Sequence, residues 1–236
     1  MKIQHLLKTS LLAGLLALAI GAASTANAAT QTWNPGGAGG GAGAWNLSNW
    51  DSAAAWTANN TAVFGGTAGT VSLNSTTQSV NGLTFNVGGY TIATGTLSFT
   101  GAPTTITTNG GTTTIAPNAT LTSAAGAQIT KTGAGTLSLS ASYGGLGTAA
   151  SPAAWTITGG TLSGSVYDSI LSVTGGNNLG PLPSTGTVQL ILDAGTASFA
   201  GASVANRWIQ VNAAGGTLQV TTNTNIDGQI FNNADS

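Results

Sequence analysis

The chain has 236 residues, and 4% of them are charged, whereas charged residues make up about 25% of an ordinary globular protein. It contains no Cys and one His, which lies at position 5. The composition of the rest of the chain therefore excludes disulfide frameworks, zinc sites built on Cys or His, and catalytic triads that use an imidazole. After residue 28 two basic residues accompany five aspartates, a net charge of −3, which excludes the basic stripe that nucleic-acid binding needs.

The first 28 residues have the pattern of a secretory signal peptide. Lys2 and Lys8 give a positive start, an apolar run follows at 11–20, and small residues end in A-N-A at Ala28. The apolar run is about ten residues long, whereas a transmembrane helix needs about 20. We therefore expect cleavage after Ala28 and a secreted chain without a membrane-spanning segment.

Residues 29–75 are rich in Trp and Gly and are predicted to cap the fold that follows. Large apolar rings placed before the first repeat can cover a strand edge that would otherwise pair with other chains. The alternative is a glycan platform, in which exposed rings stack on sugars. The glycine run at 36–43 lacks the Lys and the strand–helix context of a phosphate loop, so we interpret it as a linker. The tryptophans concerned are Trp33, Trp45, Trp50 and Trp56.

Short strand signals recur through the predicted repeat region, residues 76–236. Apolar residues alternate with Thr, Ser or Gln, which gives each strand one buried and one solvated face. Clusters of Gly, Asn or Pro separate the runs and permit the tight corners between them. No window after Ala28 has a capped apolar period of 3.6 residues, so helices are not expected. The clearest runs are 80–85, 90–92, 96–99, 136–139, 155–157, 188–192, 208–211 and 217–220.

A Gly-Thr-Leu unit, or a close variant of it, recurs along this region. The spacing is irregular but near 20–25 residues, which is typical of a solenoid whose coils differ by loop insertions. With strands alone, the prediction is an all-β, right-handed parallel β-helix with a Trp-rich N-terminal cap. A β-sandwich is the alternative, but it does not predict one tripeptide per coil. The units begin at Gly95, Gly111, Gly135, Gly160, Gly195 and Gly216.

The charged residues offer few candidates for chemistry. Asp168 and Asp193 are 25 residues apart, about one coil, so they can lie on adjacent rungs and serve glycosidase chemistry or bind Ca²⁺. We interpret them as turn residues in separate loops, because the Gly-Gly-x-Gly-x-Asp calcium repeat is absent. Lys131 and Arg207 are expected to be solvated near corners. We predict no catalytic, cofactor or metal site, and we do not expect an enzyme.

The sequence K-T-G-A-G-T-L-S-L-S at 131–140 resembles the start of the autotransporter-associated β-strand repeat, also called the passenger-associated transport repeat. A second element follows at 155–162, and the stretches 175–180 and 205–230 resemble the N-x-L-G corner and the last coil of a unit, so the clearest unit spans 129–236. The Trp-rich opening is similar to that of large secreted proteins with these repeats. The motif residues are Lys131, Gly133, Gly135, Thr136, Leu137, Gly160, Thr161, Leu162, Gly216, Thr217 and Leu218.

This resemblance implies the passenger part of a surface-exposed protein of a Gram-negative bacterium, in which the repeats aid secretion and folding. It also implies a translocator, which we expect not to be encoded in this chain. The prediction is therefore a secreted or cell-surface rod with a structural or adhesive role and a glycan or protein ligand. A β-helix that binds or degrades polysaccharide is the alternative.

Overall fold

The computed structural model describes residues 28–37, 39–140, 145–164, 179, 181, 186–199, 202–204, 207–220, 224–226 and 229–233. The predicted signal peptide lies outside these residues, apart from Ala28. In the described part the chain is all-β with almost no helix, apart from a short 3-10 turn such as that at Pro35–Gly37. None of the helical structure in these ranges is long and apolar enough to cross a membrane.

The strands form a parallel β-solenoid, which confirms the predicted fold class. Each strand pairs in parallel with its counterpart on the neighbouring coil. We number the strands β1–β23 in chain order and name three faces after their sheets. The first face consists of β1 (Thr30–Thr32), β3 (Thr61–Phe64), β6 (Gly82–Phe85), β9 (Thr104–Thr108), β12 (Gln128–Thr132), β15 (Ala154–Ile157), β17 (Thr187–Leu192), β20 (Arg207–Val211) and β23 (Ile230–Asn232).

The second and third faces follow the first within each coil. The second face consists of β2 (Gly43–Ala44), β4 (Thr70–Ser72), β7 (Thr91–Ala93), β10 (Thr112–Ile115), β13 (Thr136–Leu139), β16 (Thr161–Gly164), β18 (Thr196–Phe199) and β21 (Thr217–Val220). The third face consists of β5 (Thr77–Val80), β8 (Gly95–Phe99), β11 (Ala119–Ser123) and β14 (Gly145–Leu146), and β19 (Ala202–Val204) pairs separately with β22 (Thr224–Ile226).

The repeated tripeptide marks one particular corner of the coil. Five of the six units stack in register on the second face, from β10 through β13, β16 and β18 to β21. The unit at Gly95 is the exception, because it begins β8 on the third face, where Thr96 pairs with Thr77 and Thr120. The tripeptide therefore predicts coil spacing well, although it does not always mark the same face.

The interior is filled by the apolar residue of each alternating pair. On β13, for example, Leu137 and Leu139 are fully buried while Thr136 and Ser138 are partly exposed. Burying a Leu side chain stabilises a fold by about 1.5–3 kcal/mol. Because each coil repeats this pattern, the core is one continuous column of side chains inside the three faces.

The N-terminal end of this column is closed by the predicted cap. Trp33, Trp45 and Trp50 are fully buried, and the ring of Trp50 lies with its centroid 5.1 Å from that of Trp33 and 4.7 Å from that of Trp45. Below them Phe64 of β3 stacks on Phe85 of β6 at 4.7 Å. The aromatic packing thus passes from the cap into the first coils, which stabilises the cap on the end of the solenoid.

Candidate functional site

The outward positions of the second face form an uncharged grid of hydroxyl groups, which we call the hydroxyl grid. Each of its strands from β10 to β18 presents two such residues two positions apart, while the residue between them points into the core, and the flanking strands β7 and β21 add one hydroxyl residue each. Neighbouring strands are about 4.8 Å apart, and residues i and i+2 are about 6.6 Å apart. One column holds Thr112, Thr136, Thr161, Thr196 and Thr217, and the other holds Thr91, Thr114, Ser138, Ser163 and Ser198.

Hydroxyl pairs also occur on the other two faces. On the first face Thr107 and Thr132 occupy adjacent rungs, and their Oγ1 atoms are 2.8 Å apart. On the third face Thr96 and Ser98 of β8 pair with Thr120 and Thr122 of β11. The solenoid therefore offers hydroxyl donors and acceptors at regular intervals around its first coils, and the second face extends this array furthest along the axis.

The glycine of each stacked Gly-Thr-Leu unit is required by close contact between coils. A Cβ on Gly135 would lie 2.8 Å from the carbonyl oxygen of Gly111, and a Cβ on Gly160 would lie 2.3 Å from that of Gly135. Gly160 also has a φ of +59°, which L-residues with side chains rarely adopt. These glycines therefore let the backbone turn from the first face to the second while the coils stay in register.

Lys131, the first residue of the repeat motif, lies inside the solenoid. It is fully buried and paired in register with an isoleucine on each neighbouring coil. Its Nζ donates hydrogen bonds to the carbonyl oxygens of Thr132 at 2.8 Å, Gly133 at 3.0 Å and Gly159 at 3.0 Å. The expectation that Lys131 is solvated is wrong, because two successive corners turn their carbonyl groups inwards and satisfy its three donors.

This burial also changes the acid–base behaviour of Lys131. Desolvation lowers the pKa of its ammonium group from 10.5 to about 8. The group therefore remains mainly protonated at neutral pH and ties the two corners together as a cation. Its role in this arrangement is to position backbone, since it is enclosed and offers no free donor to a ligand.

Arg207 is buried as well, so the expectation that it is solvated is also wrong. The pairing of β17 with β20 shifts register between Val188 and Leu190, and this β-bulge leaves Gln189 as the extra residue. Gln189 is buried, and its Oε1 accepts a hydrogen bond from Nη1 of Arg207, while its Nε2 donates to the carbonyl oxygen of Ala153 at 3.3 Å. The broken alternation in T-V-Q-L-I-L was the sequence signal for this bulge.

The four N-terminal tryptophans, proposed alternatively as sugar-stacking residues, belong to the cap. Trp33, Trp45 and Trp50 have no exposed surface, so their rings present no free face to a sugar. Trp56 is partly buried, with its ring centroid 4.5 Å from that of Trp50, and its Nε1 donates to the carbonyl oxygen of Ser79 at 3.3 Å. The four tryptophan side chains instead cover the N-terminal end of the core.

The interpretation of the glycine run at 36–43 as a linker is wrong for its central part. Gly40 forms a parallel bridge with Thr67, and its φ is +104°. A Cβ there would lie 2.3 Å from the carbonyl oxygen of Gly65 and 2.6 Å from the hydroxyl oxygen of Tyr90. This part of the run packs on the first corner of the solenoid, and glycine is needed because no side chain fits between the two backbones.

The remaining candidates do not form a site in the described residues. Asp168 lies outside them, and so does any contact between Asp168 and Asp193, which the sequence predicts to be turn residues in separate loops. Asp193 follows β17, and its backbone N–H donates to the carbonyl oxygen of Ile157 at 2.9 Å. Within the described ranges no group of three His, Cys, Asp or Glu residues is placed to hold a metal ion.

Comparisons of this chain with protein-family models, curated proteins and solved structures found no match. The features of the described chain that bear on function are therefore the hydroxyl grid, the buried cations and the cap. Of these, the hydroxyl grid is the one that faces outwards.

Proposed function

We propose that the chain is an exported, passenger-type β-solenoid with a structural and adhesive role at the cell surface. The observation that carries this proposal is the in-register hydroxyl grid of the second face. From β10 to β18 every outward residue of this face is Thr or Ser, and none is charged. The proposed ligands are neutral, hydroxyl-rich surfaces.

Adhesion by such a face depends on the number of contacts. A single hydrogen bond contributes only about 0.5–1.5 kcal/mol net, so one hydroxyl pair gives no useful affinity. Contacts repeated along one rigid face add up without a new ordering cost for each one, which is the advantage of multivalent binding. Since the face is uncharged, we expect adhesion to change little between low and high salt.

Export and membership of the autotransporter-associated repeat family are part of the proposal. They are supported by the signal-peptide pattern before Ala28 and by the stacking of the Gly-Thr-Leu units in the second face. Expression in a Gram-negative host and N-terminal sequencing of the exported chain test the first point. The expected mature N-terminus is Ala29, and retention of the uncleaved chain in the cytoplasm would contradict export.

Charge placed on the hydroxyl grid tests the adhesive role. The exported chain is coupled to beads, and bead retention on neutral and anionic surfaces is measured under flow. Thr112→Lys with Thr161→Lys puts two cations on the second face, two rungs apart, and should reduce retention on neutral surfaces at least about fivefold, since each Lys would have to lose its hydration shell on contact.

The matched control places the same charges on the third face. Thr77→Lys with Thr120→Lys are also two rungs apart, one on either side of Thr96. This variant should retain the wild-type adhesion, and circular dichroism checks that both variants keep the strand content. Equal loss in both variants would show that the second face has no special role.

A further inference from the structure

The outward side of the first face changes character along the solenoid. On β9, β12 and β15 it carries threonines, among them Thr130 and Thr156. On β17, β20 and β23 it carries apolar and aromatic residues that are partly exposed. We call these residues the aromatic shelf: Val188, Ile191, Trp208 and Phe231.

Trp208 and Phe231 are the central residues of the aromatic shelf. Their ring centroids are 6.3 Å apart and their planes are perpendicular. The Trp208 ring lies against the backbone of Gly186, where a Cβ would come within 2.4 Å of three ring atoms. Gly186 therefore leaves room for the indole to lie on the strand surface, which holds the ring in one orientation while part of it stays exposed.

Amide side chains border the aromatic shelf. Gln210 is paired in register with Ile191 on one side and Phe231 on the other. Its Nε2 donates to Oδ1 of Asn212 at 2.7 Å, so the two amides hold each other in place. This leaves the Gln210 Oε1 as an acceptor and the Asn212 Nδ2 as a donor for a ligand, since neither atom has a hydrogen bond within the described residues.

We propose that the aromatic shelf is a binding site for neutral polysaccharide. A pyranose ring has an apolar C–H face that packs on an aromatic ring and hydroxyl groups that pair with amides, and the shelf offers both beside each other. Lys131 and Arg207, the basic residues of the described ranges, are both fully buried, so the shelf offers no exposed cation to an acidic polysaccharide.

The size of the aromatic shelf favours a glycan over a second protein. A fully buried aromatic side chain contributes about 150–250 Å², and all four shelf residues are already partly covered. The shelf therefore exposes only a few hundred Å², below the roughly 800 Å² per partner of a standard protein interface. Its three strands span about 10 Å, which suits a short stretch of a sugar chain.

This inference rests on the proposed adhesive role and names the class of ligand for it. Calorimetry on the exported chain tests the inference. The probes are gluco-, manno- and chito-oligosaccharides, with oligogalacturonate as the acidic comparison. We expect a neutral oligosaccharide to bind and Trp208→Ala to weaken that binding at least about tenfold, as for an aromatic hot spot. Gly186→Ala should weaken it too, because the added methyl group displaces the Trp208 ring without removing it.

Leu47→Ala is the matched control, since Leu47 is an exposed apolar residue in the cap, far along the sequence from the shelf. It should bind as the wild type does, and thermal melting verifies that each variant is folded. If Trp208→Ala does not fold, binding by Gly186→Ala decides the question.

Two outcomes would overturn the inference: no neutral oligosaccharide binds to the wild type, or Trp208→Ala and Gly186→Ala both bind as the wild type does. Either result leaves the adhesive role standing if the bead assay still depends on the hydroxyl grid. If the wild-type chain binds a neutral oligosaccharide but does not retain beads on neutral surfaces, that result would instead contradict the role of the grid and leave the shelf as the binding site.

Discussion

Gly160 illustrates how a single residue makes the solenoid possible. Its φ is positive, and the carbonyl oxygen of Gly135 lies 2.3 Å from the position that a Cβ would occupy, so there is no room for a side chain. Gly160→Ala should therefore lower the free energy of unfolding by at least about 2 kcal/mol, through backbone strain and through separation of the coils. Urea unfolding of the variant measures this loss.

Gly110→Ala is the control for this substitution. Gly110 lies at an equivalent corner, but its φ is not positive and no atom lies within 4 Å of the added Cβ. Its unfolding free energy should stay within about 0.5 kcal/mol of the wild type, as for an ordinary surface change. Equal losses in the two variants would mean that close coil contact is not what requires glycine at position 160.

Lys131 gives the fold a characteristic dependence on pH. Its folded pKa is about 8, and its unfolded pKa is 10.5. Between these values the unfolded chain binds a proton that the folded chain has released, so unfolding becomes harder as the pH rises. Below pH 8 the lysine is protonated in both states, and its contribution is constant.

Lys131→Met removes this titration. The unfolding free energy of the wild type relative to the variant should increase from pH 8 towards pH 10.5, by up to about 3 kcal/mol, because one pKa unit corresponds to about 1.4 kcal/mol. Urea unfolding at a series of pH values measures the difference, and other titrating groups cancel because both proteins contain them. A flat or falling difference would contradict the buried position of the ammonium group.

Lys131 and Arg207 show where reasoning from the sequence fails at the residue scale. Charge and corner position favour solvation for an isolated Lys or Arg. The backbone carbonyls that enclose Lys131 come from two coils, Thr132 and Gly133 on one and Gly159 on the next, so they become neighbours only once the coils stack. The burial of Arg207 depends in the same way on the β-bulge at Gln189 in the neighbouring strand, β17.

The cap is the element on which the stability of the free end depends. Trp50 contacts three other tryptophans and Phe64, with ring centroids between 4.5 and 5.7 Å. Trp50→Ala should cost about 3–5 kcal/mol and expose the edges of the first strands, which then pair with other molecules. Thermal melting and light scattering should show a lower melting temperature and aggregation.

Leu47→Ala provides the control within the same segment, because Leu47 is 56% exposed. It should change neither the melting temperature nor the scattering measurably. If Trp50→Ala stays monomeric and melts like the wild type, the Trp-rich segment does not act as a cap.

At the scale of elements, the alternation and the tripeptide were sufficient to predict strands and coil spacing. The stacking of Thr136 on Thr161 follows from both, since equivalent residues in successive coils occupy the same rung position. The packing of Gly40 on the corner at Gly65 could not be predicted, because a glycine-rich sequence looks the same whether it is solvated or needed for a close approach. Likewise, the composition of residues 29–75 does not show whether a Trp side chain there is exposed to solvent or buried in the cap.

At the scale of the molecule, the hydroxyl grid and the aromatic shelf both depend on parallel stacking of the coils in register. That stacking aligns the hydroxyl grid, encloses Lys131 and places Phe231 beside Trp208. A chain without Cys allows a direct test, because any pair of introduced cysteines is the only pair present.

The test compares two double variants of β13 and β16 under mild oxidation. Thr136→Cys with Thr161→Cys are register partners, and their Cα atoms are about 4.8 Å apart, within disulfide reach. Thr136→Cys with Ser163→Cys lie on a diagonal of about 8 Å, which exceeds that reach. We predict that the first pair forms a disulfide and the second does not; cross-linking of the second pair and not the first would contradict the in-register stacking of the coils.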